Sequence, residues 1–270
     1  MKTKLEELKE LRDQLNISIN GLNNYQVGEP NLIICNHNCL MDIFYLPSVL
    51  PEETVSLVSA RLMYKKDPER KKMVNRYLNA MPIEAHGGRL YSSLCLKYAT
   101  ELLCNNISLN IFPEGAYVPE NIIYRGRTGA SRILFYARKN GIKPNLIPVS
   151  INIKNEIKDL DNFYPNDDEV EINILEPINY DEAYFMFMDT NNPEYKNTAL
   201  HMPIDEGMRL IADSIDRKYV NEYIKLRPKN NVIFDDGSTL DTSIAQSLFY
   251  IQQYNHRLDK EKEKILKALK

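Results

Sequence analysis

Two short runs carry most of the chemistry available to this chain: Asn36-His37-Asn38-Cys39-Leu40-Met41-Asp42 and Ile111-Phe112-Pro113-Glu114-Gly115. A neutral imidazole, with an ordinary pKa of about 6.5, can take a proton from an alcohol or amine as that group attacks. The carboxylate five residues after His37 can fix the ring's tautomer and stabilise the imidazolium. The attacking group then belongs to an acceptor substrate, and the acidic loop at Glu114 can frame it. Together the two runs point to acyl transfer. A histidine and aspartate at this spacing also arise by chance in a chain with four histidines, where the ring is structural. The apolar run before Asn36 and the distant acidic loop favour the chemical reading.

These residues need elements to hold them, and composition bounds what those elements are. At 270 residues, 43% hydrophobic, the chain can bury a full core. Its net charge of −3 gives no general basic field for phosphate backbones, which argues against nucleic acid as a partner. Lys65, Lys66, Arg70, Lys71 and Lys72 nonetheless form a local basic stretch, either a solvated helix face or a docking face for a carrier protein or the phosphates of coenzyme A. Cys35, Cys39, Cys95 and Cys104 form no C-x-x-C pair, consistent with reduced thiols in the cytoplasm. The charged start Met1-Lys2-Thr3-Lys4 does not resemble a signal peptide, and no apolar run reaches the ~20 residues needed to cross a bilayer. A soluble protein with at most peripheral membrane contact is expected.

Along the chain, strand and helix patterns alternate. Strands are expected at 31–35, 54–59, 80–84, 107–112 and 145–151, with helices at 40–46 (stopped near Pro47), 61–79, 89–104 and 128–140. Alternation of this kind predicts an α/β fold, a mainly parallel mixed sheet flanked by helices, with ligands gathering where strands end. Both chemical runs begin at such strand ends. An amphipathic helix carrying Leu5, Leu8, Leu11 and Leu15 is expected within 1–27, a catalytic core over 28–180, and a helical C-terminal extension packed on the core over 181–270. Within the last segment, the loop-forming residues at 187–194 and helices at 203–226 and 240–269 are the expected features.

Asn36-His37 with Asp42 resembles the first signature of the glycerophosphate and lysophosphatidate acyltransferase superfamily, the PlsC-like enzymes. Phe112-Pro113-Glu114-Gly115 resembles its third signature and Ile147-Pro148-Val149-Ser150-Ile151 its fourth, with Arg127-Thr128-Gly129-Ala130 similar to the stretch between them and Glu176-Pro177-Ile178 to a later strand ending. The resemblance covers about residues 28–180. It implies the PlsC-like acyltransferase fold and transfer of an acyl group from acyl-CoA or acyl carrier protein to a hydroxyl or amine, with no cofactor. By that resemblance His37 is the general base, Asp42 its partner, and Glu114 and Gly115 lie beside the acceptor. A purely structural Glu114, tying its loop in place, is the other reading.

The departures bear on the acceptor. Superfamily members acting on glycerophosphates commonly carry one arginine where this chain has Ala85 and another where it has Tyr117. Neither replacement supplies the fork that binds phosphate, which favours a polar non-phosphate acceptor. Arg89, Arg125 or Arg127 can compensate, so 1-acylglycerol-3-phosphate acyltransferase of phospholipid synthesis stays as the alternative lysolipid reading. Thioester hydrolysis by the same base, and a silent lipid- or carrier-binding module, are the others. Phe44, Met63 and Tyr64, with Leu62 and Tyr45, are candidates for an acyl channel or simply core. His86-Gly87-Gly88 reads as a turn, and Cys39 as a packing thiol rather than a nucleophile. The histidines show no metal-ligand spacing, and no metal is expected.

Overall fold

In the computed structural model, the described residues are 2–59, 68–83, 88–118, 121–155, 168–224, 231–233, 239–241, 263 and 267. The central strand β2 (Asn31–Cys35) is buried along its whole length, because it lies between β5 (Leu109–Ile111) and β7 (Asn145–Ile153) in parallel ladders. Its side chains alternate between two cores. Leu32 and Ile34 join one, with Leu102, Phe135 and Met208; Ile33 and Cys35 join the other, with Phe44, Leu46 and Tyr77. A strand covered on both faces needs an unbroken apolar run, and this one has it.

Beyond β5 lie β3 (Val55–Ser59) and β4 (Asn79–Ile83), both parallel. On the far side of β7, β8 (Glu169–Ile174) runs antiparallel and β1 (Asn16–Asn20) pairs with it in parallel, giving the order β1-β8-β7-β2-β5-β3-β4. The mixed, mainly parallel sheet is therefore present as expected. Helices α1 (Lys4–Arg12), α2 (Asp42–Val49) and α3 (Pro68–Tyr77) contribute to one core, and α4 (Gly88–Cys104), α5 (Gly129–Lys139), α6 (Asp181–Asp189) and α7 (Pro193–Ser214) to the other. Among the described residues no helix is long and apolar enough to cross a membrane.

Four expectations change. The N-terminal helix ends at Arg12, and residues 16–20 join the sheet as the edge strand β1. Its side chains alternate exposed and half-buried, a pattern too polar to read as a strand without its neighbour β8. Helix α2 continues past Pro47 to Val49. In place of a loop over 187–194 and a helix over 203–226, α6 runs to Asp189 and α7 starts at Pro193 and ends at Ser214. Asn192 caps α7 by accepting from the Glu194 N–H at 2.9 Å, and Pro193 occupies the first turn, where a missing N–H costs nothing. Pro203 lies inside this helix rather than at its start. After it, Asp216 adopts a left-handed φ of 51° and the Arg217 N–H closes on the Ala212 carbonyl at 2.9 Å. The chain then forms β9 (Lys218–Val220), paired in parallel with β6 (Ile122–Tyr124). A short antiparallel pair, β10 (Asn231–Ile233) with β11 (Thr239–Asp241), follows; most of the helix expected over 240–269 lies outside the described residues.

Candidate active site

His37 stands two residues past the end of β2, and Asp42 opens α2, so the loop between them must turn back on itself. Asp42 organises that turn. Its side chain is 0% exposed, and Oδ2 accepts from His37 Nδ1 at 3.0 Å, from the Cys39 N–H at 2.9 Å and from the Asn38 N–H. A carboxylate can be buried at such a place because charge-assisted donors replace its water and the positive end of α2 lies beneath it. The His37 side chain is 12% exposed, its ring stacked on Phe112 (centroids 4.3 Å, 24°) and met edge-on by Tyr117 (5.5 Å, 88°).

Glu114, three residues past β5, is 1% exposed and joins the loops around His37. Oε2 accepts from the His37 N–H at 3.0 Å and Oε1 from the Tyr124 N–H at 2.9 Å, while the Val118 N–H returns to the His37 carbonyl at 2.7 Å. Burial pushes the Glu114 carboxyl up to about 7; the donors at Tyr124 and His37 oppose the rise, Asp42 adds to it and Arg217 counters it. These bonds tie the Glu114 loop to those of His37 and Tyr124. Gly115, at φ 79°, closes the turn by donating to the Phe112 carbonyl at 3.1 Å, and lies exposed beside His37's loop.

Three further residues hold the site together. Asn36 pairs reciprocally with Ile151: its Nδ2 donates to the carbonyl at 2.9 Å and its Oδ1 accepts the N–H at 2.8 Å. Asn38 Nδ2 reaches the same carbonyl at 3.0 Å, and its Oδ1 accepts from Arg217 Nη1 at 2.6 Å. Sequence reasoning missed Asn38 and Arg217. Nothing local marks Arg217, which lies 179 positions from Asn38 and arrives only because α7 ends beside β7.

Of the other candidates, Arg125 is held by Asp205 in a fork, Nε at 2.9 Å and Nη2 at 2.7 Å, and Tyr219 Oη also donates to Asp205 at 3.1 Å. Arg127 lies beside the acidic loop through its N–H, which donates to the Pro113 carbonyl at 2.8 Å, and its buried Nε has no hydrogen-bond partner among the described residues. Arg89 belongs to α4, but its side chain lies outside the described residues, as do Met63, Tyr64, Ala85 and His86. Phe44 is core, 1% exposed and edge-on to Tyr77. The Cys39 thiol is pushed well above the usual thiol range by burial and by Asp42 beside it, which opposes a thiolate there. His201 stands apart on α7, its Nε2 2.9 Å from Tyr223 Oη. Among the described residues no three His, Cys, Asp or Glu side chains gather as a metal site.

A mainly parallel sheet with an imidazole–carboxylate pair and an acidic loop at its strand ends is the architecture of an α/β enzyme. The family model described as Acyltransferase matches residues 16–152, half of the chain, and the protein belongs to that family of acyltransferases. Among solved structures it is similar to the 1-acyl-sn-glycerophosphate (LPA) acyltransferase PlsC from Thermotoga maritima. The TM-score is 0.51 at 18% identity, with 77% of this chain and 79% of that one covered, a likeness of fold. No curated protein matches the chain by sequence.

Proposed function

We propose that the chain moves an acyl group from a thioester, acyl-CoA or acyl carrier protein, to a hydroxyl or amine, with His37 as general base and Asp42 as the carboxylate that orients it. One observation carries the reading: His37 Nδ1 lies 3.0 Å from an oxygen of a wholly buried Asp42. An ionised carboxylate only accepts, so Nδ1 holds the proton and Nε2 is the basic nitrogen. Nε2 takes the acceptor's proton as its oxygen or nitrogen attacks the thioester carbonyl. The tetrahedral intermediate then collapses, the C–S bond breaks, and the imidazolium returns the proton to the departing thiolate. Asp42 stabilises the imidazolium between the two transfers. Burial of Cys39 and the Asp42 carboxylate beside it, which disfavour a thiolate, support direct transfer without an acyl-enzyme.

Tyr117 beside the His37 ring, and Arg125 engaged by Asp205, support an acceptor without phosphate. The Nε of Arg127, next to the acidic loop and without a hydrogen-bond partner among the described residues, favours the second reading, a 1-acylglycerol-3-phosphate acceptor. Mass spectrometry of products from acyl-CoA and acyl-carrier-protein donors, offered lysophosphatidate, glycerol phosphate, amino acids and polyamines, separates them. His37→Ala is expected to lower turnover by about 10²-fold or more, and near-wild-type turnover would remove His37 as base. Acylated lysophosphatidate selects the second reading; free fatty acid formed without any acceptor replaces both with a hydrolase.

A further inference from the structure

Arg217 belongs to none of the runs that carry the proposed chemistry, yet it reaches the loop on which His37 and Asp42 are mounted. Its backbone place is fixed twice. The left-handed Asp216 and the Arg217 N–H on the Ala212 carbonyl set the turn at the end of α7, and the next residue, Lys218, opens the ladder of β9 with β6. Ser214 Oγ, 2.8 Å from Ser150 Oγ, ties the same turn to β7. From this anchored position Nη1 donates to Asn38 Oδ1 at 2.6 Å. Asn38 in turn donates its N–H to Asp42 Oδ2 and its Nδ2 to the Ile151 carbonyl. Asn38 is thus the node at which α7, β7 and the His37–Asp42 turn meet.

Charge points the same way. The half-buried guanidinium is drawn by both Asp42 and Glu114, against a desolvation cost that lowers its own pKa. Around Glu114 stand Asp42 of α2, Cys35 of β2, the His37 and Tyr124 N–H donors, and the Arg217 cation. Two buried carboxylates so close need a compensating cation or a proton.

We infer that Arg217 is a positioning residue for acyl transfer: it locks Asn38, and through it the turn carrying His37 and Asp42, while its positive charge stands against the buried carboxyl of Glu114. The kinetic part rests on the proposed acyl transfer; the electrostatic part does not. Arg217→Gln is expected to lower kcat by about tenfold while KM for donor and acceptor stays within about twofold. In ¹³C-Glu-labelled protein without substrate, the Glu114 carboxyl, assigned by loss of its signal in Glu114→Gln, is expected to titrate above its wild-type midpoint. Arg217→Lys restores the charge and returns the midpoint, but recovers only part of kcat, because an ammonium on a flexible stem does not hold Asn38 Oδ1 as the planar guanidinium's Nη1 does. An unchanged Glu114 midpoint in Arg217→Gln overturns the inference, as does a raised KM at constant kcat, which would make Arg217 a substrate ligand. Should Arg217→Gln fail to fold, full kcat in Arg217→Lys is the overturning result. If wild-type protein transfers no acyl group, the functional reading fails and the titration still decides the role of Arg217.

Discussion

A single oxygen of Asp42 receives three donors, the His37 ring and the N–H groups of Asn38 and Cys39, and no solvent reaches it. One carboxylate therefore does two jobs, shaping the turn and orienting the base. Asparagine at this position keeps the size and loses the charge, and its amide can face the ring with an N–H where the Nδ1 proton needs an acceptor. Residues that act as a unit give non-additive losses. The double variant His37→Ala/Asp42→Asn is accordingly expected to turn over no more than about threefold slower than His37→Ala alone. Steady-state kinetics of the three variants check this; multiplied losses would mean that Asp42 serves the reaction by a route other than His37.

At the scale of elements, the run Arg125-Gly126-Arg127 works as a strap between the acidic loop and α7. Arg125 holds Asp205 of α7, Arg127 donates to the Pro113 carbonyl, and Gly126 lies between them with no room for a side chain. A Cβ there would stand 2.4 Å from Ile204 Cγ2 and 2.8 Å from Pro113 Cβ, the second a rigid ring atom. Gly126→Ala must therefore separate the loop from the helix, at a cost of about 1–3 kcal/mol. A lowered Tm together with reduced turnover is the expected outcome of thermal melts and assays; an unchanged Tm would show that the strap gives way freely. Much of this arrangement could be read from local pattern. The apolar runs of β2 and β7, the helix periodicity of α4 and α5, and His37, Asp42 and Glu114 at strand ends all follow from neighbours in sequence. What escaped depends on distant partners: the polar edge strand β1, defined only by pairing with β8, and Arg217, which meets Asn38 across most of the chain. The start of α7 was readable from Asn192-Pro193, a cap and first-turn pair, but the same residues also spell a loop.

Across the whole molecule, the sheet separates two cores, and the polar cluster at the carboxyl ends of β2 and β5 is where loops from both sides meet. Glu114 is the buried acid at that meeting point, so its ionisation is a property of the fold as well as of the site. Its ordinary value is 4.5, and in the folded chain it stands at about 7. A carboxyl raised on folding binds its proton more tightly in the native state, so the native state holds more protons than the unfolded chain between these values. The resulting stabilisation is fully present below about pH 4.5 and is lost as pH rises through about 7, an effect on the order of 3 kcal/mol. Glutamine cannot titrate. Its single carbonyl oxygen also serves only one of the N–H donors of His37 and Tyr124 well, which lowers stability by a nearly constant amount at every pH. Urea denaturation across pH 4.5 to 7.5 should therefore show a wild-type advantage over Glu114→Gln that shrinks as pH rises. A difference that stays constant would mean that Glu114 is already ionised throughout that range, and that the loops around His37 are held by a full carboxylate charge even in acid.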